Sequence, residues 1–216
     1  MSEVNATPNN ANGDQNHLTA KGLLRRKQIL DKAADLFDEV GYHAATIAMI
    51  ADRAETTKAN VYHYFNAKHD ILCDIHDSWI EESLARFQQA DQKYNDPRDL
   101  VHETFRDILY VIHTRRSQVR VYFEFFRELP EDLQIVASKK RDVYALKVQR
   151  VIERGMDQGV FVTKPAQIVT FGLFGLCNWT YQWYRPGGEF THEQVADNLF
   201  DIFIGGLSVS TLSTPA

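Results

Sequence analysis

The stretch TIAMIADRAETTKANVYHYFNAK, residues 46 to 68, decides the fold of this chain, because it reads as two short helices joined by a tight turn. Thr46 stands where an N-cap hydroxyl is needed, and Ile47, Ile50, Ala51 and Ala54 recur at helical spacing, which commits one face to a core. Thr57 offers a second N-cap. In the helix it opens, Val61, Tyr64 and Phe65 share the inward side, whereas Ala59, Tyr62 and His63 project outward with Lys58 and Asn60 at the flanks. A helix enters a major groove N-terminus first, where its amides favour phosphate oxygens, a carboxamide such as that of Asn60 reads an adenine edge, and a small residue such as Ala59 meets a thymine methyl. Tyr62, His63 and Lys68 are placed to hold phosphates on either side, which sets register rather than base choice. The same spacing also fits half-exposed residues in an ordinary helical bundle.

Working outward, Ile29, Ala33, Leu36, Phe37 and Val40 form a helical stripe that Gly41 closes, giving a first helix to back the other two. The 216-residue chain carries a net charge of −5, which excludes a wholly basic nucleic-acid binder. Any duplex contact must come from a local patch, and Lys21, Arg25, Arg26, Lys27, Arg53, Lys58 and Lys68 supply one. Residues 1 to 20, rich in Asn with scattered Ser, Thr, Gly and Pro, lack the apolar material to order themselves and read as a loose arm.

Thr46, the run Ile47 to Ala54, Thr57-Lys58 and VYHYF followed by Lys68, with Phe37 and Gly41-Tyr42 ahead of them, closely resemble the DNA-binding domain of the tetracycline-repressor (TetR) family over residues 24 to 72. The resemblance implies that Thr46, Thr57, Lys58, Asn60, Tyr62, His63 and Lys68 touch a double-stranded operator, with Lys58 and Asn60 reaching bases. Glu55 departs from the family pattern, which has glycine in this turn. A residue with a Cβ there must accept positive φ at some cost, and its carboxylate repels DNA.

Beyond Lys68 a long helix is expected from Asp70 to about Ala90, and Pro97, Pro130 and Pro165 mark later helix starts. Thr191 with Gln194 has capping-box spacing ahead of Val195, Leu199, Ile202 and Phe203. No alternating stretch supports a sheet. The expected fold is all-α, about nine helices, with a helix-turn-helix head at 21–68, a ligand-binding and dimerisation body at 69–208, and a flexible tail at 209–216.

Residues 166 to 184, AQIVTFGLFGLCNWTYQWY, carry no charge over a length that could cross a bilayer. Asn178, Gln182, threonines and glycines dilute the run, and charged amphipathic helices flank it, so it is expected to be buried between its own domain and another subunit. In the resembled family the last two helices form a dimer interface, which implies a homodimer whose recognition helices lie about 34 Å apart on a palindrome. Two widely separated cysteines, Cys73 and Cys177, and the polar N-terminus fit a cytoplasmic location, with no membrane partner.

Three constellations compete for a chemical role. His69, Cys73 and His76, at spacings of four and three, share a helix face and could make a metal-responsive regulator; the alternative is a buried cysteine flanked by solvated histidines. Aromatic residues crowd the body, and Tyr122, Phe123, Phe126, Asn178, Trp179, Trp183 and Arg185 are the candidate effector-binding residues. Arg185, ending a helix before Pro186-Gly187, can hold its own C-terminus or an anionic group. The run NWTYQWYRPGG is similar to the branch of the family that senses acyl-coenzyme A thioesters. That similarity implies an apolar tunnel for the acyl chain, with phosphates met by cations among Arg115, Arg116, Arg120, Lys139, Lys140 and Arg141. Finally, no nucleophile elbow, phosphate-cradling loop or supported carboxylate pair is present, so no catalytic residue and no cofactor are expected, and an all-helical thioester-acting enzyme is the competing class.

Overall fold

The computed structural model of the protein describes residues 19–207. Its ten α-helices run α1 (Ala20–Val40), α2 (Ile47–Arg53), α3 (Lys58–Tyr64), α4 (Lys68–Lys93), α5 (Pro97–Thr114), α6 (Arg116–Glu124), α7 (Glu131–Asp157), α8 (Ala166–Asn178), α9 (Thr180–Trp183) and α10 (His192–Gly205), with a 3₁₀ turn at Phe126–Glu128. No strand occurs among the described residues, so the architecture is all-α. The helix beyond the expected nine is α9, a single turn. It arises because the uncharged run is broken after Asn178, where the Thr180 hydroxyl donates to the Cys177 carbonyl at 2.7 Å. No described helix is long and apolar enough to cross a membrane.

Local chemistry sets the boundaries. Thr19 caps α1 by accepting from the Gly22 amide at 3.2 Å, so the last two residues of the expected arm belong to this helix; the rest of the arm and the 209–216 tail lie outside the described residues. Gly41 ends α1 at φ 83°, as the sequence requires. Pro97 is the first residue of α5, whereas Pro130 and Pro165 stand one position earlier, at the N-caps of α7 and α8. Thr191 and Gln194 form the reciprocal capping box of α10.

Two apolar clusters follow. One joins α1, α2 and α3 through Ile29, Phe37, Ile50, Val61 and Phe65 and continues into Ile71, Leu72 and Ile75 of α4, so the head shares its core with the helix that leaves it. The other fills the body between α4, α5, α7, α8 and α10 around Trp79, Phe105, Ile112, Val148, Leu173 and Phe200.

Candidate nucleic-acid interface and interior cavity

The turn between α2 and α3 passes through Glu55 at φ 49°, the only positive-φ residue other than glycine among those described. Arg25 of α1 braces it, its guanidinium donating to the carbonyls of Ala54 and Glu55, each at 3.0 Å. Thr46 and Thr57 both cap, accepting from the amides of Met49 (3.2 Å) and Asn60 (3.1 Å). Val61 and Phe65 are buried beneath α3. On its other side Lys58, Ala59, Tyr62 and His63 are exposed, Tyr62 by 52 %, so the outward face is open to a partner.

Two of the expected contact residues are placed differently. Lys68 directs its ammonium to the carbonyls of Tyr42 (2.7 Å), Ala45 (2.9 Å) and His43 (3.4 Å) and sits 4.3 Å over the Tyr42 ring. It fastens the α1–α2 loop to the start of α4, and burial lowers its pKa. Its donors are thus engaged inside the head instead of projecting toward a phosphate. Asn60 turns its amide back to the Thr56 hydroxyl at 2.7 Å, leaving its carboxamide only partly free to read a base. The basic patch is likewise thinner than its composition implies: Arg26 pairs with Asp74, Lys27 with Asp31 and Arg53 with Glu39. Lys21 and Lys58 stay exposed without an ion pair to any described residue.

In the body, a cavity of about 620 Å³ lies between α4, α6, α7 and α8. Tyr122, Phe123, Phe126 and Asn178 line it, as expected from the sequence, together with Trp79, Tyr144, Phe171 and Phe174. Trp79 stacks on Tyr122 at 4.5 Å, and Phe123 stacks on Tyr181 at 5.0 Å. Burial pushes the Tyr122 phenol up to about 12, opposed by the neighbouring Arg141. Trp179, Trp183 and Arg185 lie elsewhere. The two indoles are exposed on the outside of the body, and Arg185 donates to the carbonyls of Gln182 (3.0 Å) and Tyr184 (3.1 Å), closing α9. Of the expected cations only Arg141 reaches this cavity, joined by Arg127; Arg115 and Arg116 line a separate cleft of about 520 Å³ between α1 and α5–α6. Arg120 pairs with Asp38 and Glu124, and Lys140 with Asp77 and Glu81. Trp79 escapes a reading of the central aromatic clusters because it lies outside them, on α4; its helical spacing from His76 is the available signal.

The structure does not gather His69, Cys73 and His76 into one ligand set. No group of three or more His, Cys, Asp or Glu side chains suited to an ion exists among the described residues. His69 is exposed beside Asp70 at 3.2 Å, Cys73 is half-buried with its thiol pushed up to about 11 by desolvation, and His76 is buried against Tyr122 and Phe126. The alternative arrangement is also inverted, since a histidine rather than the cysteine takes the innermost position.

A three-helix head presenting a short capped helix, carried on a helical body with an aromatic cavity, defines a helix-turn-helix DNA-binding regulator. Residues 29–75 match the profile of bacterial regulatory proteins of the tetR family, and residues 94–207 match the tetracyclin repressor-like C-terminal domain. The chain belongs to the TetR family of transcriptional regulators and is not an enzyme. It is similar to the HTH-type transcriptional repressor KstR2 of Mycobacterium tuberculosis, with 26% identity over 193 residues that cover 85% of this chain and 93% of that one. Its fold matches that of the TetR regulator PfmR from Thermus thermophilus at a TM-score of 0.78, with 25% identity and 84% and 99% of the two chains covered. It also matches AibR in complex with isovaleryl coenzyme A and operator DNA at 0.72, with 23% identity and 82% and 97% covered.

Proposed function

We propose that the protein is a homodimeric repressor that holds a palindromic operator and is released by an apolar effector such as an acyl-coenzyme A thioester. The observation that carries this reading is the open polar face of α3, where Lys58, Ala59, Tyr62 and His63 stand clear of the molecule on a head braced by Arg25 and Lys68. Thr46 and Thr57 place helix N-terminal amides against phosphates, Lys58 and Asn60 address base edges, and Tyr62 and His63 set register. Lys68 is assigned to holding the α1–α2 loop.

Dimerisation is supported by α8 and α10, which leave Ile168 (69 %) and Ile202 (68 %) exposed together with Phe171. Exposed apolar surface of this kind marks an interface. The cavity accommodates an acyl or ring body, and Arg127 and Arg141 are the cations positioned for the phosphates of a coenzyme A, beside Glu124 and Asp142. KstR2 is named as a repressor, and AibR binds both an acyl-coenzyme A and an operator.

Release is a population shift. An effector that prefers a state with the wrong head separation by about 1–3 kcal/mol loosens the operator about 5–150-fold. The test is selection of genomic fragments by the purified protein, followed by titration of the recovered operator with Lys58→Ala and Tyr62→Phe. Each variant should fold and dimerise normally and bind the operator at least about fivefold more weakly. Equal affinity of both variants and parent refutes the assignment of α3.

A further inference from the structure

The cavity is aromatic over most of its wall, yet the fold leaves hydrogen-bonding groups at its inner side unanswered. Trp79, 4 % exposed, lines it from α4, and its indole N–H meets no acceptor. One turn earlier on α4, His76 is 1 % exposed and stands behind the lining, its ring 4.8 Å from that of Tyr122 and 5.7 Å from that of Phe126, and neither imidazole nitrogen has a partner. From α8, Asn178 lines the same space, and its Oδ1 accepts nothing. A buried donor or acceptor left unmet is costly, and apolar residues of similar shape would remove that cost. A cavity that only had to hold hydrocarbon would gain nothing from these groups.

We infer that Trp79 and Asn178, which line the cavity, and His76, which stands behind the lining rings of Tyr122 and Phe126, are its polar specificity set, and that its occupant is an apolar molecule bearing a neutral carbonyl or hydroxyl oxygen. This rests on the proposal that the cavity is the effector site. A carbonyl oxygen accepts from the Trp79 N–H, and a hydroxyl can in addition donate to Asn178 Oδ1. Burial depresses the His76 pKa to about 4, so near neutral pH its ring offers one donor and one acceptor and supplies no positive charge to offset a carboxylate. The charged residues of the lining, Glu124, Arg127, Arg141 and Asp142, are all exposed and number two of each sign, so they provide no buried cationic end for an anion. Two of the three readers sit on α4, the helix whose first residue, Lys68, holds the head loop. Engaging them therefore acts on the element that carries the head.

Four bicyclic probes of nearly equal size test this: decalin, 2-decalone, 2-decalol and decalin-2-carboxylate. Binding is read by titration calorimetry and by the indole N–H resonances of nitrogen-15-labelled protein. The chain has 3 tryptophans, and the exposed Trp179 and Trp183 serve as internal controls for Trp79. The ketone should shift the Trp79 resonance downfield and bind about tenfold more tightly than the hydrocarbon. Trp79→Phe and His76→Leu should each cut that preference to below about threefold. Asn178→Leu, on α8, should leave the ketone preference intact but abolish the additional gain shown by 2-decalol, and it keeps the test readable if an α4 variant does not fold. Equal binding of ketone and hydrocarbon, or tightest binding of the carboxylate, overturns the inference while leaving the effector cavity standing. Failure of all probes to move the Trp79 resonance overturns both.

Discussion

Replacing His76 by leucine isolates what a buried imidazole does to stability as pH falls. The ring is 1 % exposed and has no hydrogen-bond partner, and burial alone lowers its pKa from 6.5 to about 4. Its conjugate acid is a cation, so the depressed value means that the unfolded chain takes up a proton before the folded one does. Stability therefore drops as the solution is acidified from about pH 6.5 toward pH 4, and the effect vanishes above that window. Applying the linkage relation to these two pKa values gives a loss of about 2 kcal/mol at pH 5 and about 3 kcal/mol at pH 4.

The assay is urea unfolding of parent and His76→Leu at one protein concentration, at pH 7.5 and pH 5. A fixed concentration matters because any dimer couples stability to mass action. At pH 7.5 the variant should match or slightly exceed the parent, since it removes two unmet nitrogens and fills the site with an apolar group. Between the two pH values the parent should lose about 2 kcal/mol more than the variant. Comparing variant with parent subtracts contributions that both share, including that of Asp74, whose carboxyl is raised to about 6 by burial and acts in the opposite direction. Equal acid sensitivity of the two proteins would refute the reasoning, because the imidazole would then have the same proton affinity folded and unfolded.

Two further substitutions probe the head and the body. Glu55→Gly relieves the φ of 49° in the helix-turn-helix turn and should stabilise the protein by about 0.5–1 kcal/mol, read as a rise in melting temperature; no rise would mean that Arg25 bracing already offsets the backbone cost. Ile202→Arg places a charge on the exposed apolar side of α10 and should convert a dimer to a monomer in light scattering while leaving the helical circular dichroism intact; a persistent dimer rules this face out as the interface.

What is legible in the sequence follows from what sequence patterns encode. Helix starts are visible because caps are local: Thr46, Thr57 and the Thr191–Gln194 pair each need only the residue three positions downstream. The inward face of α3 is visible for the same reason, as a period of 3.6 fixes Val61 and Phe65 on one side. The Glu55 strain is legible only through the resemblance to the family, which has glycine at that position of the turn. The destinations of long flexible side chains are not. Lys68 sits where a phosphate contact is reasonable, but the carbonyls of Tyr42, His43 and Ala45 come from 23 to 26 residues away and converge only once the loop is folded. Arg26 with Asp74 and Arg120 with Asp38 follow the same rule, whereas Arg185 holds the C-terminus of its own helix through local carbonyls, one of the two roles its position allows. His76 and Trp79 are hidden for a related reason: residue type and spacing describe α4 but not the α6 rings that close over it.

Those long-range contacts also determine how the body can act on the head. Lys68 ties the α1–α2 loop to α4, Arg26 of α1 pairs with Asp74 of α4, and Gln118 of α6 donates to Asp31 of α1 at 2.6 Å, with Arg120 pairing to Asp38 at 3.1 Å. The head is therefore fastened to two helices, α4 and α6, and both line the cavity, through Trp79 on one and Tyr122 and Phe123 on the other. An occupant that separates α4 from α6 cannot leave both sets of tethers satisfied with the head in its original orientation. Rotation of the head, or loss of one tether, is the mechanical consequence. Because the α1, α2 and α3 core is continuous with Ile71, Leu72 and Ile75 of α4, rotation as a unit preserves more buried apolar contact than local unfolding does.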